Sequence, residues 1–281
     1  MVGRVGTSVA TMTSTENVSA SHGILAGDSI PDGATLQREL LRASTSGDKD
    51  YLQRVLNYDF DKNCVNEDGL SAVMLATHRK SVDAVVMLLQ NGVSPDTPNA
   101  KGLVPLHTAS EHGSVDIVKE LVRHKASLDI EAPFVGTPAH VACKAGEKEI
   151  VEHLLAAGAN TDITTSGETL ISICTDLHNV EMLDIVMKFQ PNTGILDLNG
   201  YTTLMRASQK GYTEIVRVLL SNKADPNIVS KEGTSAIYLA DFMGHADIVT
   251  LLQQFGAVRT QRDIFVESFH NQQECKHVCA A

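Results

Sequence analysis

The sequence predicts an all-α fold: a solenoid of stacked helix-turn-helix units joined by β-turn or hairpin loops, with disordered termini. Three observations carry this. Glycines recur on a 33-residue lattice, apolar residues recur in fixed columns behind each lattice point, and aromatics are scarce, at 4% of 281 residues with no Trp. A core of Ala, Val, Leu and Ile suits thin layers of small side chains better than one thick globule. The lattice points are Gly69, Gly102, Gly167, Gly200 and Gly233, at steps of 33, 65, 33 and 33 residues. Val135 stands where the missing glycine would fall.

Each lattice point opens a similar string. Val104-Pro105-Leu106-His107-Thr108-Ala109 follows Gly102, and Thr137-Pro138-Ala139-His140-Val141-Ala142 follows Val135. The strings behind Gly69, Gly200 and Gly233 end in Ala76, Ala207 and Ala240, and a weaker copy behind Gly167 ends in Cys174. Four residues past this column lie Gly47, Gly113, Gly146, Gly211 and Gly244, suited to a tight turn at positive φ. Ile117, Val118, Leu121 and Val122 come next, repeated as Ile150, Val151, Leu154 and Leu155 and as Ile215, Val216, Leu219 and Leu220. That spacing makes one apolar face of a second helix, which Gly92, Gly158 and Gly256 close.

These residues resemble the ankyrin-repeat family, whose string Gly-x-Thr-Pro-Leu-His-x-Ala is matched almost completely at 102–109 and, apart from its Gly, closely at 135–142. The resemblance spans residues 34–257. It divides them into a degenerate capping unit, 34–66, and six repeats: 67–99, 100–132, 133–164, 165–197, 198–230 and 231–257. Arg38, Arg42, Asp50, Gln53 and Arg54 give the first unit the polar outer face that a terminal repeat requires. The fourth repeat is the poorest. It lacks the Pro and His, carries His178 in place of the turn glycine, and has lost one residue between Asp162 and Gly167; a local irregularity or hinge is expected there. Residues 1–33 read as a disordered head, and 258–281 as a tail or short cap. In that tail Ile264, Phe265, Val266 and Phe269 are apolar enough to cover the last repeat. Cys275-x-His277-x-Cys279 is too tightly spaced for a zinc knuckle.

Composition narrows the function. Net charge is -11 with a pI near 5.4, which disfavours nucleic acid and anionic membranes as partners. Five irregularly spaced cysteines imply no disulfide framework and favour a reducing compartment, cytoplasmic or nuclear. No apolar run is long enough to span a membrane, and the N-terminal stretch lacks the apolar core of a secretory signal. Phosphate-binding loops, metalloprotease His-Glu-x-x-His and nucleophile-elbow strings do not occur. No catalytic residue, cofactor or metal site is therefore expected. Cys143 and Cys174 read as small core residues.

The resemblance implies a protein partner held in a concave groove lined by the turn tips and first helices. His107 and His140 belong to the family string, where the imidazole fixes the stack. On the groove side the pattern places Leu70, His78, Arg79, Leu103, Glu111, His112, Phe134, Lys144, Tyr201, Gln209, Lys210, Phe242 and Met243. Leu70, Leu103, Phe134, Tyr201, Phe242 and Met243 are apolar where the pattern needs no core residue, as interface anchors are. Leu219, Asp225 and Asn227 match the spacing at which ankyrin repeats are hydroxylated by the oxygen-sensing asparaginyl hydroxylase, which marks Asn227, although Asp and Asn are also the ordinary loop consensus. The expected function is a non-enzymatic, monomeric adaptor, scaffold or inhibitor. With -9 of the charge on residues 34–257, a partner with a basic face is expected. The alternative puts specificity in the head or tail and leaves the repeats as a spacer.

Overall fold

The computed structural model describes residues 31–259. The expectations for Ile264, Phe265, Val266 and Phe269, and for Cys275, His277 and Cys279, lie outside the described residues. The first unit pairs α1 (Gly33–Ser46) with α2 (Lys49–Leu56). Six further pairs follow: α3 (Ala72–His78) with α4 (Val82–Gln90), α5 (Pro105–Glu111) with α6 (Val115–Arg123), α7 (Pro138–Ala145) with α8 (Lys148–Ala156), α9 (Leu170–Asp176) with α10 (Val180–Met187), α11 (Thr203–Lys210) with α12 (Thr213–Ser221), and α13 (Ala236–Phe242) with α14 (Ala246–Gln254). Odd-numbered helices pack on odd and even on even, so two layers run the length of an all-α solenoid.

Local sequence explains each pair. Ser71, Thr137, Thr169, Thr202 and Ser235 cap the first helices, each hydroxyl accepting a backbone N–H from the first turn. Ala76, Ala109, Ala142, Cys174, Ala207 and Ala240 are fully buried in one column, where a small side chain lets neighbouring first helices approach closely. Leu88, Leu121, Leu154, Val186, Leu219 and Leu252 form the matching column of the second helices. The turn between the helices is left-handed at Gly47, Gly113, Gly146, Gly211 and Gly244, and Lys80 (φ 54°) and His178 (φ 53°) adopt it too. Packing imposes the turn whichever residue occupies it, at a cost of ~1–2 kcal/mol for a non-glycine.

A ladder of side chains ties successive loops together. Asn63, Asp96, Asp129, Asp162 and Asn227 each accept the backbone N–H of a residue about one repeat later: Ser94, Ser127, Asn160, Asn192 and Val258, at 2.8–3.0 Å. The position between the fourth and fifth repeats is Gly194, which has no side chain to offer. Replacing Asp129 with Ala removes one rung and is expected to lower stability by about 1 kcal/mol, seen as a lower urea midpoint with an unchanged slope.

Two tips depart from the pattern. In the third repeat the β-branched Val135 does not take the left-handed conformation, which passes instead to Phe134 (φ 62°) and Gly136 (φ 100°). A Cβ on Gly136 would lie 2.9 Å from the His140 Cβ, so only glycine fits. In the fourth repeat Asp162 keeps its ladder rung, so the missing residue falls in the tip itself, Thr165–Glu168. Ser166 (φ 54°) and Gly167 (φ 82°) close it as a two-residue turn, the tightest hairpin connection.

A row of carboxylates runs along the second helices. Asp50, Asp83, Asp116, Glu149, Glu181, Glu214 and Asp247 stand one per second helix, each in the first turn. There they complement the positive end of the helix dipole. Cross-repeat pairs Lys119–Glu149 (2.9 Å) and Lys188–Glu152 (3.1 Å) lie on the same layer; exposed as they are, each is worth ~0–1 kcal/mol. At the N-terminal end Arg38, Arg42, Asp50, Gln53 and Arg54 are all exposed, while Glu39 is buried and accepts the Tyr51 hydroxyl.

Candidate protein-binding groove

The tips and the C-terminal ends of the first helices form one face of the stack. Phe134 is 91% exposed on the third tip, and Phe242 and Met243 are 57% and 49% exposed at the end of α13. Leu70 and Leu103 are half-buried under their tips. Tyr201 departs further from the expected anchor, because it packs against the core. All three precede a helix-capping residue, where the hairpin folds back onto the stack. Leu198 (77% exposed) and Leu177 (52%) join the apolar face. Leu198 sits on a tip. Leu177 was legible only as an apolar residue in the column of Arg79, His112, Ala145, Lys210 and Met243, and the weak string of the fourth repeat hid it.

Leu103, Glu111, Phe134 and Lys144 converge with Lys101 and Val135 on a hollow of about 580 Å³ between the second and third repeats. The Lys144 ammonium pairs with Glu168 at 2.9 Å, so Lys101 and Glu111 bring opposite charges to an apolar floor. One repeat earlier, the His78 and His112 rings meet at 5.4 Å. Burial, and then the neighbouring His112, hold the His78 imidazole below its ordinary value, with Glu111 opposing. Lys80 donates to the His112 carbonyl at 2.9 Å, and Arg79 is exposed beside it. Gln209 is half-buried, its carbonyl 3.2 Å from His245 Nε2. Lys210 pairs with Asp176 at 2.5 Å and lies over the Tyr212 ring.

The histidines of the family string do structural work. His107 Nδ1 accepts the Val104 N–H (3.2 Å), so its Nε2 carries the proton and donates to the Gly136 carbonyl of the next tip (2.9 Å). His140 Nδ1 accepts from the Thr137 hydroxyl (2.8 Å), but its buried Nε2 makes no bond of full hydrogen-bond geometry, although the Glu168 carbonyl lies near enough to act on the imidazole. The corresponding carbonyl, that of Glu168, belongs to the shortened tip. Burial lowers the pKa of both imidazoles, with nearby backbone carbonyls opposing. Asn227 is likewise engaged: Nδ2 donates to the Gly256 carbonyl (3.1 Å) and Oδ1 holds the Val258 rung.

Among the described residues no group of three or more His, Cys, Asp or Glu is placed to hold a metal ion, and no helix is long and apolar enough to cross a membrane.

Known proteins share this arrangement. The family model for ankyrin repeats in three copies matches residues 40–133 and 177–263, and that for a single ankyrin repeat matches 136–166. The potassium channel AKT2/3 of Arabidopsis thaliana is 33% identical over 89 residues, which are 32% of this chain and 11% of the channel. Notch-regulated ankyrin repeat-containing protein A of Danio rerio is 32% identical over 77 residues, 27% of this chain and 67% of that protein. Among solved structures, the ankyrin repeat domain of Bcl-3, a member of the IkappaB protein family, superposes with a TM-score of 0.72 at 22% identity, covering 76% of this chain and 97% of that one. At that identity the likeness is one of fold. Together the family models account for most of the sequence, and the stacked helix pairs, capped tips and histidine strings are those of a protein-interaction module. The chain belongs to the ankyrin-repeat family.

Proposed function

We propose that this protein is a non-enzymatic adaptor, scaffold or inhibitor that recognises another protein through the face formed by its tips and first helices. The observation that carries this reading is Phe134. A bulky side chain is held at positive φ and 91% exposed, at the rim of an apolar hollow. The strain follows from Val135 and is kept without any packing in return, and a binding role explains an exposed aromatic held there. Phe242, Met243, Leu177 and Leu198 extend the apolar contact along the same face. The net charge of -11 supports a partner with a basic face, whose approach it would steer, and speaks against nucleic acid and anionic membranes. The protein acts as a monomer in the cytoplasm or nucleus.

A second reading places recognition in the tail. Arg259 pairs with Asp241 of α13 at 3.0 Å, so the outgoing chain begins beside Phe242 and Met243. Affinity capture followed by mass spectrometry separates the two. The full chain, a Phe134→Ala/Phe242→Ala/Met243→Ala variant and a chain lacking residues 260–281 are compared as baits, and binding of the captured protein is then measured in purified form. Loss in the triple variant at unchanged helicity is expected. Loss on deleting the tail, with binding intact in the triple variant, would transfer recognition to the tail.

A further inference from the structure

Cys143 on α7 and Cys174 on α9 are both fully buried, with their sulfurs 3.4 Å apart. They belong to neighbouring repeats and meet across the junction of the third and fourth. Cys143 Sγ lies 3.9 Å from the Leu170 carbonyl and is placed to donate to it, which leaves the Cys174 thiol to donate to Cys143. The contact with Cys143, and then burial, push the Cys174 thiol far above its ordinary value. One repeat earlier the same two positions are Ser110 and Ala142, so the pair is not part of the repeat pattern. At the same junction the fourth tip is one residue short, and the approach of His140 Nε2 to it is poorer than the 2.9 Å bond of His107 across the preceding junction.

We propose that Cys143 and Cys174 are a redox site at which a low-molecular-weight disulfide, such as glutathione disulfide, installs a covalent bond between the third and fourth repeats. Burial keeps both thiols inert until the junction opens locally, and the weaker His140 clamp makes this opening cheaper than at the second-to-third junction. Once open, the Cys143 thiol gives its proton to water and its sulfur attacks the oxidant. The oxidant's S–S bond breaks, one glutathione leaves as thiolate, and Cys143 carries a mixed disulfide. Cys174 then loses its proton, attacks the Cys143 sulfur and expels the second glutathione. Two protein thiols are oxidised and one small disulfide is reduced to two thiols. The sulfurs close from 3.4 Å to a bond of about 2.0 Å by side-chain rotation. The bond fixes the third repeat against the fourth, between Lys144 at one wall of the hollow and Leu177.

The test uses the full chain with Cys64, Cys275 and Cys279 changed to Ser, treated with glutathione disulfide under native conditions and digested without reduction. A peptide linking Cys143 to Cys174, lighter by two hydrogens, is expected. Tm should rise by about 5 °C, and reductant should reverse both changes. In the same background Cys174→Ala should stop at a stable glutathione adduct on Cys143. The proposal is overturned if the native protein yields no linked peptide, if the link forms only in urea, if it lowers Tm, or if Cys143 gains no adduct in the Cys174→Ala chain.

Discussion

Replacing Phe134 with glycine is expected to weaken binding of the partner by roughly 30-fold, the effect of losing a ~2 kcal/mol hot spot, while the melting temperature stays level or rises. The two halves of this result have separate causes. Phe134 holds φ at 62°, where an L side chain costs ~1–2 kcal/mol and glycine almost nothing. Glycine returns part of that gain through the freer unfolded chain, ~0.4–1 kcal/mol. With 91% of the residue exposed, little packing is lost in the free protein. A purely structural residue would behave in the opposite way, since its removal would lower stability and disturb binding only as a consequence. The measurement is a thermal melt beside calorimetric titration with the captured partner. Unchanged affinity would remove this tip from the interface, and a lowered Tm would show that Phe134 supports the stack.

The 33-residue lattice made the fold legible because each repeat solves the same packing problem with the same residues. A glycine-marked turn, an Ala column and a Val/Leu column are demands of backbone geometry and burial, and such demands show in single residues. The surface was less legible. Phe134 could be singled out because it interrupts a column that needs nothing apolar. Tyr201 satisfied the same criterion yet packs on the core, since its position lies where the hairpin bends back, a direction that spacing does not encode. Leu177 went unnoticed in the degenerate fourth repeat. The shortened tip at Thr165–Glu168 could be counted from the sequence, but its consequence for His140 required knowing which carbonyl each imidazole reaches. The contact between Cys143 and Cys174 is likewise a property of two repeats together. Neither cysteine breaks its own column, so each reads as an ordinary small core residue.

The two string histidines should differ on mutation although the sequence makes them equivalent. His107→Ala is expected to cost about 3 kcal/mol, because it strands the buried Val104 N–H, empties a buried site and removes the bond to the Gly136 carbonyl that ties the second repeat to the third, although that carbonyl keeps the Ala132 N–H. His140→Ala should cost less, since Nε2 makes no bond of full geometry and the Thr137 contact is the one well-formed side-chain bond lost. Urea denaturation of both variants at pH 7.5 checks the difference; equal losses would show that the His140 clamp forms in solution despite the short tip. Their acid response follows from the same geometry. Both imidazoles titrate below the ordinary value of 6.5 in the folded chain. As pH falls through 6.5, the unfolded chain takes up protons that the folded chain refuses, so stability is full above that point and declines below it. The slope is at most ~1.4 kcal/mol per pH unit for each such histidine. His140→Ala, which removes one of these groups at the lower structural cost, should therefore flatten the decline between pH 6.5 and 5.5. An unaltered slope in that variant would mean that His140 is already protonated, or solvated, in the folded protein.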